Sequence, residues 1–146
     1  MAESKYELLM RLATEACDKA VERMNEARKR MDSAIQKLDQ LNMFLNDYLV
    51  RRIEHGERGM GAAQWVDYQR FIERLRDAVT TQVKEVDFAK ILHQEMVENW
   101  HQARKKVKAL EKLLEQEKLR QQQKEAKREQ KQTDEFAARI FRSGKS

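Results

Sequence analysis

The chain has 146 residues, 38% of them charged, with no proline, four glycines and one cysteine, and its mean hydropathy is -0.92. So few apolar residues exclude a deep globular core, no run of about 18 apolar residues offers a membrane span, and a lone cysteine cannot close an intramolecular disulfide. The net charge of +5 is uneven: Lys and Arg against Asp and Glu stand at ten each over residues 1–54, six against eight over 55–100 and fourteen against seven over 101–146. Glu, Lys, Arg, Gln, Ala and Leu without proline is the composition of long helices and coiled coils. The opening Met1-Ala2-Glu3-Ser4-Lys5-Tyr6 has no basic region followed by an apolar stretch, so no signal peptide is expected. A reducing cytosol is the compartment that a single cysteine suggests.

From Tyr6 onward apolar residues recur alternately three and four apart: Tyr6, Met10, Ala13, Cys17, Ala20, Met24, Ala27, Met31, Ala34, Leu38, Leu41, Leu45 and Tyr48. That spacing buries a seam between helices rather than a face against a sheet, and it predicts a first helix over about residues 4–54. Alanine holds most of the d positions in its first half. Next come Gly56, Gly59 and Gly61, which favour chain reversal and predict a loop over 55–62.

A second series follows: Trp65, Tyr68, Ile72, Leu75, Val79, Gln82, Val86, Ala89, His93, Met96, Trp100, Ala103, Val107, Leu110 and Leu114. It predicts a second helix over about 63–139. Folding back through the glycines brings Tyr48 near Ile72, Ala34 near Val86, Ala20 near Trp100 and Tyr6 near Leu114. A slide of one heptad would preserve the apolar layers too, so topology is better determined than register. The expected fold is all-α, a single coiled-coil domain over 1–146. Two long helices form an antiparallel hairpin, and the second overhangs at its C-terminal end as a protruding segment over 115–142. An elongated monomer is the corresponding expectation.

Beyond Leu114 the continuing positions Glu117, Gln121, Lys124 and Arg128 are polar. The stretch from Glu115 to Asp134 has high helix propensity and no apolar stripe. Apolarity returns at Phe136, Ala137, Ile140 and Phe141, and Phe136 and Ile140, four apart, share a helical face. A short apolar stripe beyond a polar spacer suits another protein.

Chemistry-bearing motifs are lacking. His55, His93, His101 and Cys17 have no metal-ligand spacing, His93 and Cys17 fall on a positions of the seam, and Gly59-Met60-Gly61 lacks the lysine of a phosphate loop. An enzyme is not expected, nor a cofactor or a metal. More informative is the surplus of apolar residues off the seam near the loop: Phe44 and Leu49 in the first helix, Phe71, Ala78 and Val83 in the second. One partner helix cannot cover so wide a stripe, and a contiguous exposed apolar patch marks a binding site.

Leu41-x-x-Phe44-x-x-x-Tyr48, the glycine loop, Trp65-Val66-Asp67-Tyr68-Gln69-Arg70-Phe71-Ile72, Trp100 and Asp134-Glu135-Phe136-Ala137 together resemble the flagellar export protein FliJ family across essentially the whole chain. The resemblance implies a component of the bacterial flagellar type III export apparatus, a coiled coil similar to the central stalk of rotary ATPases, with roles in flagellum biogenesis, motility and chemotaxis. It implies that Leu41, Phe44, Tyr48, Phe71, Leu75 and Ala78 bind the cytoplasmic part of the export-gate membrane protein. The family also uses the positions of Lys37 and Gln82, where glutamine and histidine are typical, and often has tyrosine at the position of Phe44. The end bearing both termini would enter the export ATPase hexamer. Lys118, Arg120, Lys124, Lys127 and Arg128 would then meet acidic loops, and Phe136 and Ile140 would supply an apolar contact. Export chaperones are a further implied partner, escorted by the protein, and its implied place is cytoplasmic, peripheral at the membrane at the flagellar base.

Two other classes fit the bare pattern: a purely structural coiled-coil spacer, and a nucleic-acid-binding coiled coil with a basic tail. The tail lacks aromatic interleaving and its cations are diluted by glutamates, so nucleic acid is not an expected partner. Salt-dependent binding to heterologous DNA would favour that class, and failure to bind any ATPase or gate protein would favour the spacer.

Overall fold

Two helices account for the chain in a computed structural model that describes residues 4–144. Helix α1 runs Lys5–Glu57 and α2 runs Ala62–Ser143, antiparallel to it. Residues 1–3 and 145–146 of the expected domain lie outside the described residues. The hairpin falls into two compact units, Asp18–His101 and Met1–Cys17 with Gln102–Ser146.

Within Asp18–His101 the heptad seam is the core. Every a and d position from Ala20 to Tyr48 and from Tyr68 to Trp100 is buried or half-buried. Ala34, Val86 and Ala89 form the buried cluster, with Met31, Ile35 and Leu38 packed against it. This is the expected pairing of Ala34 with Val86, so the observed register is the unslid one. Ile72 is fully buried, which stabilises by about 1.5–3 kcal/mol. Flanking positions report the same register: Arg30 reaches Glu85 at 2.9 Å, Arg52 donates to Gln69 at 2.9 Å, and the rings of Tyr48 and Phe71 lie 4.4 Å apart. Trp65 is the exception to the seam. It is 44% exposed, with the Arg52 guanidinium 5.5 Å from its ring centre.

Gln82 sits at a d position, only 7% exposed. Its Nε2 donates to the carbonyl oxygen of Ala34 at 2.9 Å. A buried amide without a partner would cost about 1–3 kcal/mol. Here the short alanine side chain leaves the backbone carbonyl of α1 within reach, so the polar residue is satisfied across the seam.

In the other unit a capping box starts α1. Ser4 Oγ accepts from the Glu7 amide at 3.2 Å, and Glu7 Oε2 accepts from the Ser4 amide at 3.2 Å. Ala13 and Leu110 are buried. Tyr6 and Leu114 line one groove together with Glu7, Lys118 and Gln121. The cover of α2 therefore extends past Leu114 to the next d position, Glu117, which is half-buried. From Lys118 to Gly144 every residue is exposed, so the overhang begins nearer 118 than 115.

The loop expected over 55–62 is shorter, because α1 continues through His55, Gly56 and Glu57. Gly56 in a helix costs only about 1 kcal/mol relative to alanine. The reversal falls to Gly59, whose φ is +86°, a left-handed conformation that glycine adopts without strain. The amides of Arg58 and Gly59 donate back to the carbonyls of Glu54 and Gly56. Likewise α2 ends at Ser143 rather than near 139, with Gly144 donating to the Ile140 carbonyl at 3.0 Å.

The buried amide yields a paired prediction. Gln82→Leu, which removes donor and burial penalty together, should leave thermal stability equal or higher. Gln82→Glu places a carboxylate against the Ala34 carbonyl and should destabilise by about 1–3 kcal/mol at neutral pH. Burial raises the folded-state pKa of the introduced acid, so its stability deficit should grow as pH rises and shrink toward pH 4. Thermal melts followed by circular dichroism at both pH values, relative to the unsubstituted chain, check both signs.

Candidate functional site

In an antiparallel two-helix coil the g positions of the two helices face each other along one edge of the seam. Near the loop that edge carries Phe44 on α1 and Phe71 on α2, each two heptads along its helix from the charged g pair Arg30 and Glu85. Phe44 is 55% exposed and Phe71 40%. Together with Asp47, Tyr48, Arg51 and Leu75 they line a shallow cavity of about 350 Å³.

Tyr48 and Leu75 come from the seam itself and are half-buried, so the floor of the cavity is rigid while its aromatic walls project. The Phe71 ring is braced against Tyr48 at 4.4 Å. The Arg51 guanidinium lies 5.5 Å from the Tyr48 ring centre, a cation–π contact that holds a positive charge at the rim. Asp47 supplies the opposite charge. An apolar slot with both signs at its edge can seat an apolar anchor from another protein and hydrogen-bond its surroundings.

Four of the six expected patch residues, Phe44, Tyr48, Phe71 and Leu75, are thus brought together around one cavity. Leu41 and Ala78 are half-buried and lie outside its lining. Asp47 and Arg51 were missed by the apolar criterion, although their spacing of three and seven from Phe44 puts them on its face. Lys37 is exposed, but Gln82 is buried with its amide donated to Ala34. It is therefore a seam residue here, not a surface contact.

The second candidate surface lies on α2 in the other unit. Lys124, Lys127, Arg128 and Lys131 line one groove with Gln121 and Glu125, because spacings of three, four and seven stack side chains on one helical face. Lys118 and Arg120 lie just before it, and Arg120 is tied to Glu117 at 3.7 Å. Further along, Phe136 is 65% and Ile140 56% exposed. The stretch therefore presents a basic stripe followed by an apolar one.

Among the described residues no group of three or more His, Cys, Asp and Glu side chains is placed to hold a metal ion. No helix of the described residues is long and apolar enough to cross a membrane.

The sequence matches the family described as "Flagellar FliJ protein" over residues 2–146. It is similar to the Flagellar FliJ protein of Salmonella typhi, with 26% identity over 140 residues, covering 91% of this chain and 90% of that protein.

Because Phe44 and Phe71 stand off the seam, each should be dispensable for folding. Phe44→Ala and Phe71→Ala should each lower unfolding free energy by no more than about 1 kcal/mol, against about 3–5 kcal/mol for a buried Phe. Urea denaturation followed by helical ellipticity measures the difference.

Proposed function

The chain belongs to the flagellar FliJ protein family, a family of flagellar export apparatus components, and we propose that it binds the export gate and the export ATPase through two surfaces, one in each compact unit. The observation that carries this reading is the cavity between Phe44 and Phe71: two large aromatic side chains stand 55% and 40% exposed, off a seam that does not need them. Exposed aromatics braced in a shallow pocket are the side chains that most often dominate binding energy at protein interfaces.

The first surface takes the cytoplasmic part of the export-gate membrane protein. Its anchor fills the slot over Tyr48 and Leu75, and Asp47 and Arg51 fix its orientation. Leu41 and Ala78 extend the contact along the same helices. Lys37 adds a charge on α1.

The second surface takes the export ATPase hexamer. Lys118, Arg120, Lys124, Lys127 and Arg128 meet acidic loops around the central hole, and Phe136 and Ile140 supply the apolar contact. A lone helix gains little stability without tertiary packing, so this stretch firms up when the ring encloses it. The protein acts as a monomer without catalytic chemistry of its own, and escorts export chaperones to the same apparatus. Its place is the cytoplasmic face of the membrane at the flagellar base.

Binding of the gate's cytoplasmic part to Phe71→Ala or Phe44→Ala should weaken by about 2 kcal/mol, roughly 30-fold, measured by calorimetry on variants with unchanged helical content. Unchanged affinity in both would place the gate contact elsewhere. A chain ending after Gln121, which keeps the cover over Tyr6, should remain folded and lose stimulation of ATP turnover. Stimulation by the full chain should also fall with added salt, since exposed charges are screened beyond about 10 Å at 0.1 M. Equal stimulation by full-length and shortened chains would remove the ATPase assignment.

A further inference from the structure

The seam of α1 is nearly periodic. Its successive a and d layers pair Met10 with Ala13, Cys17 with Ala20, Met24 with Ala27 and Met31 with Ala34. Displacing α2 by one heptad toward the start of α1 therefore changes few contacts in kind. Val86 would pass from Ala34 to Ala27, a like-for-like exchange. The Gln82 amide, now on the Ala34 carbonyl, would find the Ala27 carbonyl past the same small methyl. Glu85, now held by Arg30, would meet Arg23.

The opposite displacement is closed. It would bring Gln82 against Leu41, whose side chain covers the carbonyl and strands the amide. It would also centre the turn near Ala63, away from every glycine of the loop. In the open direction the turn's centre moves by half the displacement, from the 58–61 loop to Gly56. Gly56 now lies in the last turn of α1, where a helix gains least from a glycine.

Trp65 supplies an independent sign. It is the one a or d residue of either series that stands exposed, at 44%. One heptad away, Trp65 would lie opposite Tyr48 and enter the seam. Against this, Leu114 would lose Tyr6, its present neighbour across the groove, and Phe71 would leave Tyr48 and come beside Lys37. The observed register is the major one.

We propose that the hairpin has a second, minor register, displaced by one heptad and turned at Gly56, in which Trp65 is buried and the aromatic patch is taken apart. Phe44 and Phe71 then no longer share a cavity, so any partner that needs both selects the observed register. Occupancy of the patch and register become linked equilibria. The regulatory part of this inference rests on the patch being the docking surface, whereas the second register does not.

Spin labels on cysteines at Lys29 and Arg76, both exposed, in a Cys17→Ala background read the register by pulsed dipolar distance measurement. The displacement shortens their separation along the axis by about 10 Å, seven residues at 1.5 Å each. Two substitutions penalise only the observed register. Gly59→Ala strains its turn at φ +86°, and Leu114→Ala removes a layer that the displaced register leaves uncovered. Each should raise the short-distance population several-fold with helical content retained. Gly56→Ala, whose new methyl would meet only the Trp65 ring at 4.0 Å, strengthens the last turn of α1 and should abolish that population. A single unshifted distance in both Gly59→Ala and Leu114→Ala overturns the second register and leaves the docking surface standing. Shifted distances with gate affinity insensitive to Phe71→Ala would instead keep the register and remove its regulatory role.

Discussion

Alanine on α1 facing large side chains on α2 is the constraint from which the rest of this hairpin follows. Ala27 and Ala34 are buried, and Val86 packs with Ala34 in the buried cluster. Such close approach brings the α1 backbone within hydrogen-bond reach of α2. Only for that reason can Gln82 be buried at a d position with its amide on the Ala34 carbonyl. With a leucine at 34 the same glutamine would be stranded, at a penalty of about 1–3 kcal/mol. The polar residue thus acts as a test of register within an otherwise repetitive interface, a role that a single polar core residue plays in other coiled coils.

A two-helix seam has no second layer, so whatever lies off it is left to solvent or to partners. Polar off-seam residues need no explanation. Phe44 and Phe71 do, because each exposes a large ring next to a well-packed floor. The C-terminal part of α2 differs in kind. From Lys118 to Gly144 every residue is exposed, so helicity there draws little on packing against α1. One surface is preorganised by the seam and the other is not. The first suits a docking slot, the second a segment that gains order inside a ring.

Much of this was legible in the residues. Strict three-four spacing located both helices and their antiparallel pairing, but a slide of one heptad kept the same apolar layers, and it is Arg30–Glu85 and Tyr48–Phe71 that display the register. Surplus apolarity at g positions located the patch. What stayed hidden was decided by local geometry. Gly56 read as loop because glycine is a poor helix former, yet a single left-handed residue sufficed for the reversal and Gly59 took that role. Trp65 read as seam because its spacing is right, but it stands 44% exposed, with the Arg52 guanidinium 5.5 Å from its ring centre. Gln82 read as a break in the pattern, since a heptad list cannot show that the residue opposite is small enough to expose a carbonyl. The capping box of Ser4 and Glu7 was readable as Ser-x-x-Glu and marks the start of α1.

The claim on which this account turns is that the seam alone holds the chain, leaving the C-terminal stretch of α2 to be ordered by a partner. Amide hydrogen exchange on the free protein, resolved along both helices, addresses it directly. The slowest exchange should fall around Ala27–Leu45 and Ile72–His93, where the seam is most deeply packed, while amides over 122–143 should exchange orders of magnitude faster, as in an isolated helix. Protection over 122–143 equal to that of the seam would contradict it, because helicity there would then have a support other than the packing of α1 against α2.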